Sequence, residues 1–225
     1  MRLQSAIFDM DGTLLDSMPT WRELGPTFLK EAGISATPEQ DRMLHTFILA
    51  VQILKGKTEE APNAFPMKPV WTTEQIMDEI IRRMEDFYTH RVQPKPGLEK
   101  FLSILKMEGV WMYVATATHR RLAEKALKTA GIDHYFRGIV TSADAGNHKS
   151  ESADIYEMAM RRLQSNKRDT VVFEDALHAI RTAKAAGFRV AGVYEATAEQ
   201  DQPEIQRLCD YYIRSYEELV QSETF

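Results

Sequence analysis

The sequence predicts an α/β protein: a doubly wound parallel sheet with a helical segment inserted after its first strand. Three observations carry this. Five short apolar runs are near-continuous rather than alternating, as strands covered on both faces are. Helically spaced patterns separate the later runs, and three of those patterns end at a glycine. Between the first two runs lies a block, 18–92, that has no convincing strand and is too long for a crossover loop.

The elements follow in order. Ala6 to Asp9 is a strand that stops at a carboxylate, and Val110 to Thr116 is one that stops at a hydroxyl. Gly138 to Thr141, Thr170 to Glu174 and Phe188 to Tyr194 are the other three. Helices are expected at Leu98 to Glu108, His119 to Ala130, Asp154 to Leu163 and Leu177 to Ala186, with Gly109, Gly131 and Gly187 as terminating glycines after three of them. Strands alternating with helices give a parallel sheet with right-handed crossovers.

Inside the inserted block, Trp21, Leu24, Phe28 and Leu29 mark one helix. Thr37 with Gln40 forms a capping box, with Pro38 in the first turn, ahead of Met43, Leu44, Phe47, Ile48 and Val51. Thr72 with Gln75 repeats the device before Ile76, Ile80, Met84, Phe87 and Tyr88. Lys55 to Pro69, with Pro62 and Pro66, is loop by composition. The expected organisation is a core of 1–17 with 93–225 and a helical cap of 18–92.

Composition excludes several classes. The chain has 225 residues, 44% apolar and 27% charged, which is ordinary globular usage and not that of a disordered or collagen-like chain. The 28 basic and 33 acidic residues sum to −5, and with a pI near 5.7 there is no broad positive field for nucleic acid or an anionic membrane. The longest nearly apolar stretch, Phe47 to Leu54, is far short of the roughly 20 residues of a membrane span. The first residues lack the pattern of a secretory signal, and the single cysteine, Cys209, fits a reducing compartment, so a cytoplasmic location is expected.

Ligands of open parallel sheets bind outside the carboxyl ends of the strands. The first strand ends in Asp9-Met10-Asp11-Gly12-Thr13, the second in Thr116-Ala117-Thr118 and the fourth in Glu174-Asp175, while Lys149 follows the third. Crowded carboxylates repel one another unless a cation sits among them or one keeps its proton. Asp9, Asp11, Glu174 and Asp175 offer hard oxygens with no nearby His or Cys to point to zinc, so Mg²⁺ is the expected cofactor. A hydroxyl, a lysine and the close backbone approach that Gly12 allows suit the oxygens of a phosphoryl group. Asp9, at the strand end, is placed to attack phosphorus; Asp11, turned away by the bend, is placed to give and take a proton.

The run Ala6 to Ser17 (AIFDMDGTLLDS), Thr116, Lys149 and Val172-Phe173-Glu174-Asp175 resemble, in order and spacing, the four motifs of the haloacid dehalogenase superfamily. The resemblance covers essentially the whole chain, and the helical insertion is similar to the small cap of the β-phosphoglucomutase and phosphoglycolate phosphatase branch. It implies a Rossmann-like core, a nucleophile at Asp9 and an acid/base at Asp11. It also implies phosphate ligands at Thr116, Ala117, Lys149 and Gly12, and a magnesium site of Asp9, the Asp11 carbonyl and Asp175 assisted by Glu174. The activity it implies is a magnesium-dependent phosphatase acting on a small phosphorylated metabolite through an aspartyl-phosphate, with no nucleic acid, membrane or obligate protein partner. A sugar phosphomutase and a non-catalytic phosphometabolite-binding protein are the alternatives. Trp21 stands where β-phosphoglucomutase has a cap histidine, which favours the phosphatase, and it is the cap residue expected against substrate. The loop Lys149-Ser150-Glu151-Ser152-Ala153-Asp154 departs from the family pattern: it lacks both prolines and is one residue longer.

Other readings are weaker. A calcium-loop register on the Asp-x-Asp string would put Ile7 and Met18 at ligand positions, which fails. Asp16 and Ser17 read as joining the first cap helix. The histidines scatter without metal spacing, and Arg120 and Arg121 read as a solvated helix face.

Overall fold

A computed structural model describes residues 3–31 and 73–221. The helix expected from Thr37 and the loop Lys55 to Pro69 lie outside the described residues. The chain divides into two compact units, Met1–Asp16 with Tyr88–Phe225, and Ser17–Phe87.

The larger unit holds a six-stranded parallel sheet among the described residues: β1 (Ser5–Phe8), β2 (Trp111–Thr116), β3 (Ile139–Thr141), β4 (Thr170–Glu174), β5 (Arg189–Val193) and β6 (Tyr211–Ile213). The strand order is β3-β2-β1-β4-β5-β6, so β1 and β4 lie side by side at the point where the winding reverses. The short edge strand β6 was not expected from the sequence. Its three residues include an exposed and a half-buried tyrosine, too short a run to stand out as a strand.

The strands are buried on both faces, which is why they read as unbroken apolar runs. Ile7, Ala115, Val140, Val172 and Val190 point to one face and pack with Ile155, Tyr156, Ile180 and Ile205. On the other face Phe8 stacks on Phe173 with centroids 4.3 Å apart, and Phe101 bridges Phe173 and Tyr216. Each such aromatic contributes about 1.5–3 kcal/mol by burial.

The helices cover these faces: α3 (Leu98–Met107), α4 (Arg120–Thr129), α6 (Asp154–Arg162), α7 (Leu177–Ala185), α8 (Gln202–Leu208) and α9 (Tyr216–Gln221), with a short α5 (Ser142–Ala145) after β3. Gly109, Gly131 and Gly187 all have positive φ just past α3, α4 and α7, the left-handed stop that the sequence predicts. Gly97, before α3, has φ +79°, and a Cβ there would lie 2.5 Å from the Glu217 backbone nitrogen, so only glycine lets α3 meet α9. Cys209 packs against Gly192, and burial pushes its thiol up to about 11, a structural rather than reactive cysteine.

In the smaller unit α1 (Met18–Glu31) carries Trp21 half-buried in its first turn and Leu24 buried. The helix α2 (Thr73–His90) buries Ile80, Met84 and Phe87 on one face, while Glu79 pairs with Arg82 and Arg83 on the other. It runs on past the unit boundary to His90, bringing Tyr88 into the larger unit. Among the described residues no helix is long and apolar enough to cross a membrane.

Candidate active site

Strand register builds the site. Phe8 pairs with Phe173 in the parallel ladder, so the next residues, Asp9 and Glu174, emerge side by side at the sheet's carboxyl edge. The Asp9 amide donates to the Phe173 carbonyl at 2.9 Å, which fixes the backbone from which its side chain leaves. After Asp9 the chain turns: the Leu14 and Leu15 amides donate to the Met10 carbonyl and the Gly12 amide to the Leu15 carbonyl. Gly12, at φ +86°, supplies the left-handed residue that this turn requires.

Asp9, Glu174 and Asp175 are all buried, and one carboxylate oxygen from each lies within 4.8 Å of the others. Lys149, itself 5% exposed, donates to Asp9 and, at 3.1 Å, to Glu174 Oε2. Three carboxylates against one ammonium leave the cluster short of positive charge. Burial, then the Glu174 charge, push Asp9 up to about 7. Burial and the charges of Glu174 and Asp9 likewise raise Asp175 well above the carboxyl range. Burial alone would lower Lys149, but Asp9 and Glu174 outweigh it and hold the ammonium charged.

Hydroxyls complete the wall. Thr13 Oγ1 donates to Asp175 Oδ1 at 2.7 Å, and Tyr156, on α6 and fully buried, donates to Glu174 Oε2 at 2.7 Å. The Ala176 amide donates to Glu174 Oε1 at 3.3 Å. The loop that lacks the family's prolines closes by other means: the Glu151 and Ser152 amides donate to the His148 carbonyl, and Asn147 donates to Asp154 at 2.6 Å. With that turn in place Lys149 reaches the cluster.

The Asp11 carboxylate is not in the three-carboxylate group; it takes hydroxyls from Tyr88 and Thr118 instead. Thr116 ends β2 buried, its Oγ1 accepting from the Thr118 amide at 3.0 Å, and Ala117 between them is exposed. Arg120, read as a solvated residue, pairs with Asp144 at 2.7 Å and donates to the Ile139 carbonyl. Four participants carried no assignment from the sequence: Thr13, Tyr88, Thr118 and Tyr156. Thr13 and Thr118 lie beside assigned residues, which is a local signal; Tyr88 and Tyr156 give none.

The doubly wound α/β sheet gathers buried acids and a lysine at its switch point, which is where proteins of this class bind ligands. The chain belongs to the haloacid dehalogenase-like hydrolases: the family model matches residues 6–193. It is 27% identical to the phosphorylated carbohydrates phosphatase of Thermotoga maritima over 192 residues, 85% of each chain. It is 28% identical to the fructose-1-phosphate phosphatase YqaB of Escherichia coli over 201 residues, 85% of this chain and 97% of that one. The crystal structure of CbbY from Rhodobacter sphaeroides in complex with phosphate superposes with a TM-score of 0.68 at 21% identity, covering 96% of both chains.

Proposed function

We propose that this protein is a magnesium-dependent phosphomonoesterase acting on a small phosphorylated metabolite through an aspartyl-phosphate. One observation carries the reading: three buried carboxylates lie within 4.8 Å of one another beside Lys149, which bonds two of them. The donors are all oxygens, as a hard cation requires, and their uncompensated charge is what a divalent ion neutralises. Asp9, Glu174, Asp175 and the Asp11 carbonyl would hold Mg²⁺, which draws charge from a bound phosphoryl group and from the cluster.

The chain's own residues supply the rest. Asp9 attacks phosphorus; the ester oxygen leaves with its electron pair and takes a proton from Asp11. Asp11 then removes a proton from water as the water oxygen attacks the same phosphorus, which frees inorganic phosphate and restores Asp9. Lys149, Thr116 and the Ala117 amide bind the phosphoryl oxygens, while the Gly12 amide is taken by the Leu15 carbonyl and the glycine serves by shaping the turn. The names of the two curated relatives, both sugar-phosphate phosphatases, support this substrate class.

The test is phosphate release from fructose 1-phosphate, 2-phosphoglycolate and a nucleoside monophosphate, with Mg²⁺ and no bisphosphate activator. The wild type releases phosphate from at least one, and a folded Asp9→Asn protein loses at least ~10⁴-fold in rate. An Asp9→Asn protein that keeps wild-type turnover excludes the reading.

A further inference from the structure

Asp11 is gripped from two sides. Tyr88 Oη donates to its Oδ1 at 2.5 Å and Thr118 Oγ1 donates to its Oδ2 at 2.7 Å. The three residues come from separate elements: the turn after β1, the last turn of α2 and the loop after β2. Tyr88 has no exposed surface, so its hydroxyl is committed inside the protein, where a polar group without a partner is costly. A single hydrogen bond would leave a carboxyl free to pivot about the bonded oxygen. Two bonds on different oxygens, from different elements, fix the plane of the group and its direction.

We propose that Tyr88 and Thr118 are positioning residues that hold the Asp11 carboxyl in the orientation from which it passes a proton to the leaving oxygen. This rests on the phosphomonoesterase reading above. In that transfer an Asp9 oxygen bonds to phosphorus, the ester P–O bond breaks, its electron pair goes to the leaving oxygen, and the Asp11 proton follows. Each hydroxyl donates to a lone pair of an Asp11 oxygen, and a carboxylic acid keeps acceptor capacity on its oxygens, so the contacts persist while the acid proton points to the leaving oxygen and after it has been given up. Misplacing a proton donor by an ångström costs on the order of 10²-fold in rate.

The leaving group separates positioning from general support. An alkyl phosphate expels a poor leaving group and needs the proton; p-nitrophenyl phosphate expels a stable phenolate and does not. The experiment compares kcat/KM for fructose 1-phosphate or 2-phosphoglycolate, whichever the wild type turns over faster, with that for p-nitrophenyl phosphate. The variants are Tyr88→Phe, Thr118→Val and Thr118→Ser. Tyr88→Phe and Thr118→Val lose ~10- to 100-fold on the alkyl ester and less than ~3-fold on the aryl ester, while Thr118→Ser, which keeps the hydroxyl, returns the alkyl rate. Equal losses on both esters, or none, overturn the positioning role and leave the phosphatase reading intact. A wild type that hydrolyses none of fructose 1-phosphate, 2-phosphoglycolate, a nucleoside monophosphate and p-nitrophenyl phosphate overturns both. If Tyr88→Phe does not fold, the Thr118 pair decides the outcome alone.

Discussion

Thr13 and Asp175 stand 162 residues apart in sequence and are joined by a 2.7 Å hydrogen bond from a fully buried hydroxyl. The bond ties the turn after β1 to the end of β4 and engages one oxygen of an acid in the three-carboxylate group. Supporting contacts of this kind commonly change metal affinity 10- to 100-fold. Thr13→Val is expected to weaken Mg²⁺ or Mn²⁺ binding by that much in a calorimetric titration, with Thr13→Ser near the wild type. Equal affinities for all three proteins would refute the link.

Turnover is expected to need Mg²⁺ and to be blocked by Ca²⁺, which takes more ligands at longer, looser distances. Full activity in excess chelator would contradict the site, and activity titrations against both ions decide the point.

Lys149 carries the cluster's positive charge and bonds both Asp9 and Glu174. Lys149→Met keeps the volume and removes the charge, and the rate is expected to fall ~10²–10³-fold, the usual loss for one electrostatic donor at a reacting centre. A loss under ~3-fold would show that the ammonium has no part in turnover.

Stability of the metal-free protein should depend on pH through Asp9, raised on folding from 3.8 to about 7. A carboxyl raised on folding binds its proton more tightly in the native state. Its contribution is therefore present below about pH 4 and is lost as pH climbs through about 7. In chelator, the wild-type Tm is expected to fall between pH 5 and 8 more steeply than that of Asp9→Asn. Asp175 is raised too, so some slope survives in the variant. Parallel melting curves across the window would rule out this assignment.

Gly97→Ala tests a place far from the chemistry. Its φ of +79° disfavours any side chain, and the new Cβ would collide with the backbone of Glu217. A loss of more than about 1 kcal/mol is expected, and each kcal/mol lowers Tm by ~2–4 °C in a domain of this size. An unchanged melting temperature would mean that α9 moves aside freely.

Much of this architecture is legible in the sequence because burial on two faces leaves a local trace. Thr170 to Glu174 is the same strand in both readings, and the ends of β1, β2 and β4 fall within a residue of their expected positions. Lys149 reaches the acids, although its loop lacks the prolines of the family pattern. The order of the strands leaves no such trace, since it depends on crossovers rather than on composition. The hydroxyl partners are hidden for a related reason: Tyr88 and Asp11 are 77 residues apart, and no spacing rule connects them. Tyr156 reads equally well as a core aromatic on an amphipathic helix, which it also is.

The hydroxyl of Tyr216, fully buried, donates at 3.2 Å to the carbonyl of Thr13, 203 residues earlier. A ribosome therefore delivers all four acids well before it delivers the residue that finishes their turn. A nascent chain halted ahead of that tyrosine would carry the turn after β1 without the bond that α9 brings to it. Closure of this turn thus waits until α9 docks against it.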